Sequence, residues 1–97
     1  MPMLEPDINK RFGRVIKEWR RRASISQEEL AARAQLHRTY VSDVERGMRN
    51  PSLHSIAKLA NALKVSLPML FQTMEGTLDP VANPLVAEEK DAKAGPG

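Results

Sequence analysis

SQEELAARAQLHRTYVSDVERG, residues 26–47, carries two short helical patterns separated by a tight turn. Ser26 with Glu29 three residues on forms a Ser-x-x-Glu capping box. Glu28 and Glu29 place negative charge in the first turn, where the helix dipole favours it. Leu30, Ala31 and Ala34 follow as a narrow apolar stripe of mostly small residues, which permits a close approach between helices. Gln35, Leu36 and His37 read as the turn, with Leu36 pointing inward. The second pattern covers about Arg38 to Arg46. At roughly 100° per residue, Val41 and Val44 share one side of the wheel. Arg38, Thr39, Ser42, Asp43 and Arg46 gather on the other, and Glu45 lies between, nearer the buried side. Gly47 is suited to the left-handed position that ends a helix.

The flanking sequence supplies a core for this pair. Phe12, Val15, Ile16 and Trp19 recur at i, i+3, i+4 and i+7 within a helix expected over about Ile8 to Ala23, with Asp7 as its cap. Ser52, after Pro51, caps a fourth helix whose buried side is Leu53, Ile56, Leu59, Ala60 and Leu63. Ser66 caps a short fifth helix with Leu67, Met69, Leu70 and Phe71. No segment alternates with period two for long enough to suggest a strand. The expected fold is all-α, with five helices and a helix-turn-helix at helices two and three.

Ninety-seven residues suit one small domain. The chain contains no cysteine, so a disulfide framework or a Cys-based metal site is excluded. No apolar run approaches the ~20 residues of a membrane span, and the N-terminus does not read as a signal peptide, so a cytoplasmic protein is expected. The net charge of +3 conceals an asymmetry. Residues 1–71 hold thirteen Lys/Arg against seven Asp/Glu, while residues 72–97 hold two against five. The expected organisation is an N-terminal arm (1–7), a basic helical domain (8–71) and an acidic, mobile or loosely docked tail (72–97). A basic domain that holds a polar helix away from its core is expected to present it to the DNA major groove.

The sequence resembles the Cro and phage-repressor (XRE) family of helix-turn-helix transcriptional regulators. The matching text is Phe12-Gly13, IKEWR from Ile16, SQEELA from Ser26, HRTYVSDVERG from His37, NPSLHSIAKLANAL from Asn50 and VSLPMLF from Val65. Within that family it is similar to the controller proteins of restriction-modification systems, which also run HRTY into the recognition helix. Two residues depart from the family pattern. Ser24 replaces a common glycine after helix one, which implies a different backbone at that turn. Trp19 replaces leucine, which implies an adjusted core.

The candidate base-reading residues are Arg38, Thr39, Ser42 and Asp43. An arginine fork can donate two bonds to guanine; the competing, weaker reading of Arg38 is an ordinary solvated surface arginine. Asp43 either accepts from cytosine, orients a neighbouring arginine, or lies clear of the groove. Phosphate contacts are expected from Gln27, Tyr40, Arg46, Arg49 and Asn50, with Tyr40 alternatively packing on the core edge. For Gln27 the resemblance implies the same role. Lys10 and Arg11 are further phosphate candidates within a basic run that otherwise reads as a solvated face. The resemblance also implies an ion pair between Arg20 and Glu45.

A single helix-turn-helix reads few base pairs, so a homodimer is expected. Its interface is placed at Leu67, Met69, Leu70 and Phe71, and steep salt dependence should follow. His37 and His54 stand alone. No catalytic set, cofactor motif, metal site or small-molecule site is evident, so the expected partners are an operator duplex and a second copy. The competing reading is a protein-interaction module of the same fold, an antitoxin or adaptor. That version would carry apolar residues where this chain has Arg, Thr, Ser, Asp and Arg.

Overall fold

Three serines start three of the helices. Ser26, Ser52 and Ser66 each lie in extended backbone, and each hydroxyl accepts the N–H three residues on, at 3.0–3.2 Å from Glu29, Ser55 and Met69. The computed structural model describes residues 8–76; the N-terminal arm (1–7) and the tail from residue 77 lie outside the described residues. The elements in chain order are α1 (Ile8–Arg22), α2 (Gln27–Ala34), α3 (Arg38–Glu45), α4 (Leu53–Leu63) and α5 (Leu67–Met74). No strand occurs among the described residues.

The first four helices end the same way. A residue in left-handed backbone follows the last turn, and the next N–H reaches back five residues to a carbonyl: Ile25 to Arg20, Leu36 to Ala31, Met48 to Asp43, Val65 to Ala60. This is the Schellman closure. Only the third uses glycine, Gly47 at φ +76°; Ser24, Gln35 and Lys64 hold φ near +60° with a side chain attached. The expectation of a different backbone at Ser24 is therefore corrected. Serine adopts the left-handed conformation itself, at a strain of ~1 kcal/mol.

Ile16, Leu30, Val41, Val44, Leu59 and Leu70 are the largest fully buried side chains, so every helix contributes to one core. Trp19 packs against that core only partly buried, and its Nε1 donates to Thr73 Oγ1 at 3.2 Å. This bond helps carry α5 beyond Phe71, where the sequence pattern decays, to Met74. Arg11 adds a second tie, from Nη2 to the Met74 carbonyl at 3.1 Å and to Glu75 Oε2 at 3.2 Å. Both ties come from α1, more than fifty residues away, so α5's own sequence does not announce them.

Two apolar expectations change places. Leu70, assigned to an exposed interface, is 0 % exposed, because α5 turns it inward against the core. Leu53, assigned to the buried side of α4, is 71 % exposed. It stands at the first position of α4, and the buried residues of that helix begin only at Leu59.

Candidate nucleic-acid interface

α3 is held by its inner side. Val41 and Val44 are buried against the core, and α1 passes α3 closely enough that Gly13 faces the Val44 and Glu45 carbonyls. The remaining face is left outward. Arg38, Thr39 and Arg46 are exposed, and Ser42 and Asp43 are half-buried. These five side chains line one polar surface on a short, rigidly seated helix.

Glu45 goes the other way. Its side chain is 2 % exposed and accepts from Arg20 Nε at 2.6 Å and Arg20 Nη2 at 3.2 Å. Arg20 Nη1 also donates to the Ile25 carbonyl at 2.8 Å, so one guanidinium ties α1, the turn after it and α3 together. Gln27 Nε2 gives Glu45 a third bond at 2.9 Å, while its Oε1 accepts from Arg38 Nη1 at 3.4 Å. Full partnering matters, because a buried charge without compensating bonds is costly. Among the described residues no buried side-chain polar atom lacks a partner.

The start of α2 lies beside the start of α3. Arg20, Ser26, Gln27, Glu28 and Arg38 line an open groove there. The first-turn N–H groups of α2 have no carbonyl partners within the helix, and they carry the positive end of its dipole. Arg38 therefore stands over a place suited to an anion.

A second polar cluster closes the other end of α3. Asp43 Oδ1 accepts from Arg46 Nη2 at 2.8 Å, and Oδ2 from Arg49 Nη2 at 3.2 Å. The Arg49 guanidinium lies 4.7 Å from the Tyr40 ring centroid, a cation–π distance. Tyr40 itself is half-buried against the core. The hydrogen bond from Arg46, followed by its charge and then by Arg49, holds the Asp43 carboxyl below the usual carboxylate range despite some desolvation. A depressed value means the cluster is intact throughout neutral pH and is lost only as pH falls through that value.

The other sequence candidates are spread out. Asn50 is exposed and lines an apolar groove instead of adjoining Arg38. Arg11 is engaged with the end of α5, and Lys10 is exposed where its backbone meets Gly47. His37 precedes α3 without a side-chain capping bond, and His54 is exposed. Among the described residues no three His, Cys, Asp or Glu side chains are grouped to hold a metal ion. No helix there is long and apolar enough to cross a membrane.

Of the four residues assigned to an interface, Leu70 is core, Leu67 and Met69 are half-buried, and Phe71 is exposed. Phe71 shares its groove with Ile8, Phe12, Pro51, Ile56 and Met74. Ile8 and Leu53 are exposed apolar residues that sequence reasoning assigned to no surface role. The period of each helix could have placed Ile8 on the Phe12 side of α1, one turn earlier; that no described residue covers it is a tertiary fact.

The sequence matches the helix-turn-helix family over residues 16–70. It is 47% identical over 60 residues to control protein C.BamHI of Bacillus amyloliquefaciens, covering 61% of this chain and 74% of that one. It is 41% identical over 70 residues to control protein C.MunI of a Mycoplasma species, covering 71% and 95%. Among solved structures, the restriction-modification controller protein C.AhdI from Aeromonas hydrophila superimposes with a TM-score of 0.64 at 46% identity, over 65% of this chain and 96% of that one. The controller protein C.Esp1396I, solved as a tetramer with its natural 35 base-pair operator, superimposes with a TM-score of 0.70 at 32% identity, over 75% and 96%.

Proposed function

Since this chain belongs to the helix-turn-helix family of the Cro and phage-repressor (XRE) type, we propose that it is a sequence-specific, double-stranded-DNA-binding transcriptional regulator. It binds its operator as a dimer, with α3 in the major groove. The observation that carries this reading is the outward polar face of α3 on a Val41/Val44 anchor. The similar controller protein bound to its operator supports it. The chain acts by binding, not as an enzyme, and does so in the cytoplasm, where the DNA is.

Arg38, Thr39 and Ser42 read base edges in this account. Gln27, Arg46, Arg49 and the α2 N-terminus grip the sugar–phosphate backbone, with Tyr40 supporting Arg49. Arg20 and Glu45 touch no DNA and hold α3 in register with α1. The charged outer face disfavours the protein-binding alternative, because the buried centre of a protein interface is depleted in charged residues.

Arg38→Ala tests the base-reading role directly. Loss of a bidentate arginine contact is worth about 1–3 kcal/mol, so affinity for DNA from the gene's own promoter should fall roughly ten- to a hundredfold. Affinity for random duplex should change far less. Unchanged promoter affinity and preference, measured by fluorescence anisotropy, would remove Arg38 from the reading face.

The dimer seam in this reading lies on the Ile8–Phe71 groove. Ile8, Phe12, Pro51, Ile56, Phe71 and Met74 line one continuous apolar groove, and it is a contiguous apolar surface, not a single exposed side chain, that marks an interface. Phe71→Asp, which puts charge on the groove without touching the buried Leu70, should shift the protein toward monomer in sedimentation at micromolar concentration. An unaltered dimer fraction would move the seam elsewhere.

A further inference from the structure

Asp43 is the feature of α3 that a DNA-reading face does not need. It is a carboxylate on the side turned toward a polyanion, and repulsion from phosphate should make it a liability. Its geometry offers a use for it. Both of its oxygens accept from arginines, Arg46 at 2.8 Å and Arg49 at 3.2 Å. Arg46 is the cap residue at the end of α3, and Arg49 lies just past the Gly47 turn. The Tyr40 ring supports Arg49 from another side. Two cations flanking the recognition helix are thus gathered on one anion that belongs to the protein.

We propose that Asp43 is an internal stand-in for phosphate: it holds Arg46 and Arg49 back from random DNA and releases them only to the backbone of a matched operator. It is a specificity-determining residue that reads no base. On random duplex, a phosphate must displace a carboxylate already in place, so little is gained by the exchange. On the operator, contacts by Arg38, Thr39 and Ser42 seat α3 first. Phosphates are then held close to both guanidinium groups, and the exchange becomes favourable. The clamp therefore lowers non-specific affinity more than specific affinity, and their ratio is what a regulator needs among many competing sites. This inference rests on the DNA-binding reading above.

The test uses the full chain and its Asp43→Asn variant, titrated by anisotropy against promoter duplex and random duplex over a range of salt. Asparagine keeps the shape and removes the charge. The variant should bind random duplex about tenfold more tightly. The slope of log K against log salt on that duplex should steepen by between one and two per protomer, because each freed arginine adds ~0.9. Promoter affinity should rise less, so the preference for promoter falls. Repeating the substitution in an Arg46→Gln/Arg49→Gln background separates the clamp from simple repulsion, since the gain should largely vanish there.

An equal gain in that background overturns the clamp. So does an unchanged salt slope with Asp43→Asn. Loss of promoter affinity alone also overturns it, and would make Asp43 a base reader. If the wild type binds neither duplex, the DNA-binding reading itself fails. That outcome is separable, because it shows in the wild-type titration before any variant is compared.

Discussion

Gly13→Ala should destabilise the protein by about 3 kcal/mol, although alanine is the better helix former by ~1 kcal/mol. The sign is decided by what the new methyl group would meet. A Cβ at residue 13 would lie 2.2 Å from the Val44 carbonyl oxygen, 2.6 Å from that of Glu45 and 2.9 Å from the Glu45 carbonyl carbon. All three are backbone atoms of α3, so no side-chain rotation relieves the contact. α3 must move outward, which loosens Val41 and Val44 and separates Arg20 from Glu45. A domain of this size has only about 5–15 kcal/mol in hand, so urea unfolding should show the loss plainly. Promoter affinity should fall with it, because the displaced helix is the reading helix. A variant as stable as the wild type would mean that α1 can slide past α3 without strain.

Arg20→Ala should cost a comparable ~3 kcal/mol, because it leaves a buried carboxylate without its cation. Glu45 is 2 % exposed, and the Gln27 amide would be its remaining partner of the three bonds. The Ile25 carbonyl would also lose its donor at the turn after α1. Replacing both charges distinguishes the cost of a stranded charge from the net worth of the pair. Arg20→Met with Glu45→Leu should unfold at higher urea concentration than Arg20→Ala alone. A double variant weaker than the single one would show that the ion pair itself, and not the avoidance of an unpaired charge, supports the junction.

The Gly13 substitution marks where reading the sequence stops. The capping serines, the Gly47 turn and the Val41/Val44 anchor are legible locally, since each depends on residues within about one helical turn. The polar face of α3 is legible for the same reason. Gly13 appears in the sequence only as part of a Phe-Gly pair, and nothing near it shows that another helix's carbonyls lie against it. Leu53 and Leu70 make the same point in the apolar residues. Leu53, expected on the buried side of α4, stands exposed at its first turn, while Leu70, expected at an exposed interface, points into the core. Ser24 shows the reverse error. The absence of glycine suggested a changed turn, but the closing hydrogen bonds hold a serine in the same left-handed backbone.

The sequence by itself determined five helices, where three of them begin, and which face of the recognition helix is polar. Periodicity and cap chemistry are short-range, so the chain states them in order. The family resemblance implies the Arg20–Glu45 pair; the tertiary structure alone decided that Gln27 adds a third bond to it and that Asp43 gathers both Arg46 and Arg49. It alone lengthened α5 to Met74 through contacts made by α1 and left Ile8, Leu53 and Phe71 exposed among the described residues. Except in the Asp43 cluster, those outcomes depend on partners tens of residues away. There, the turn at Gly47 brings Arg49 back to the helix it follows.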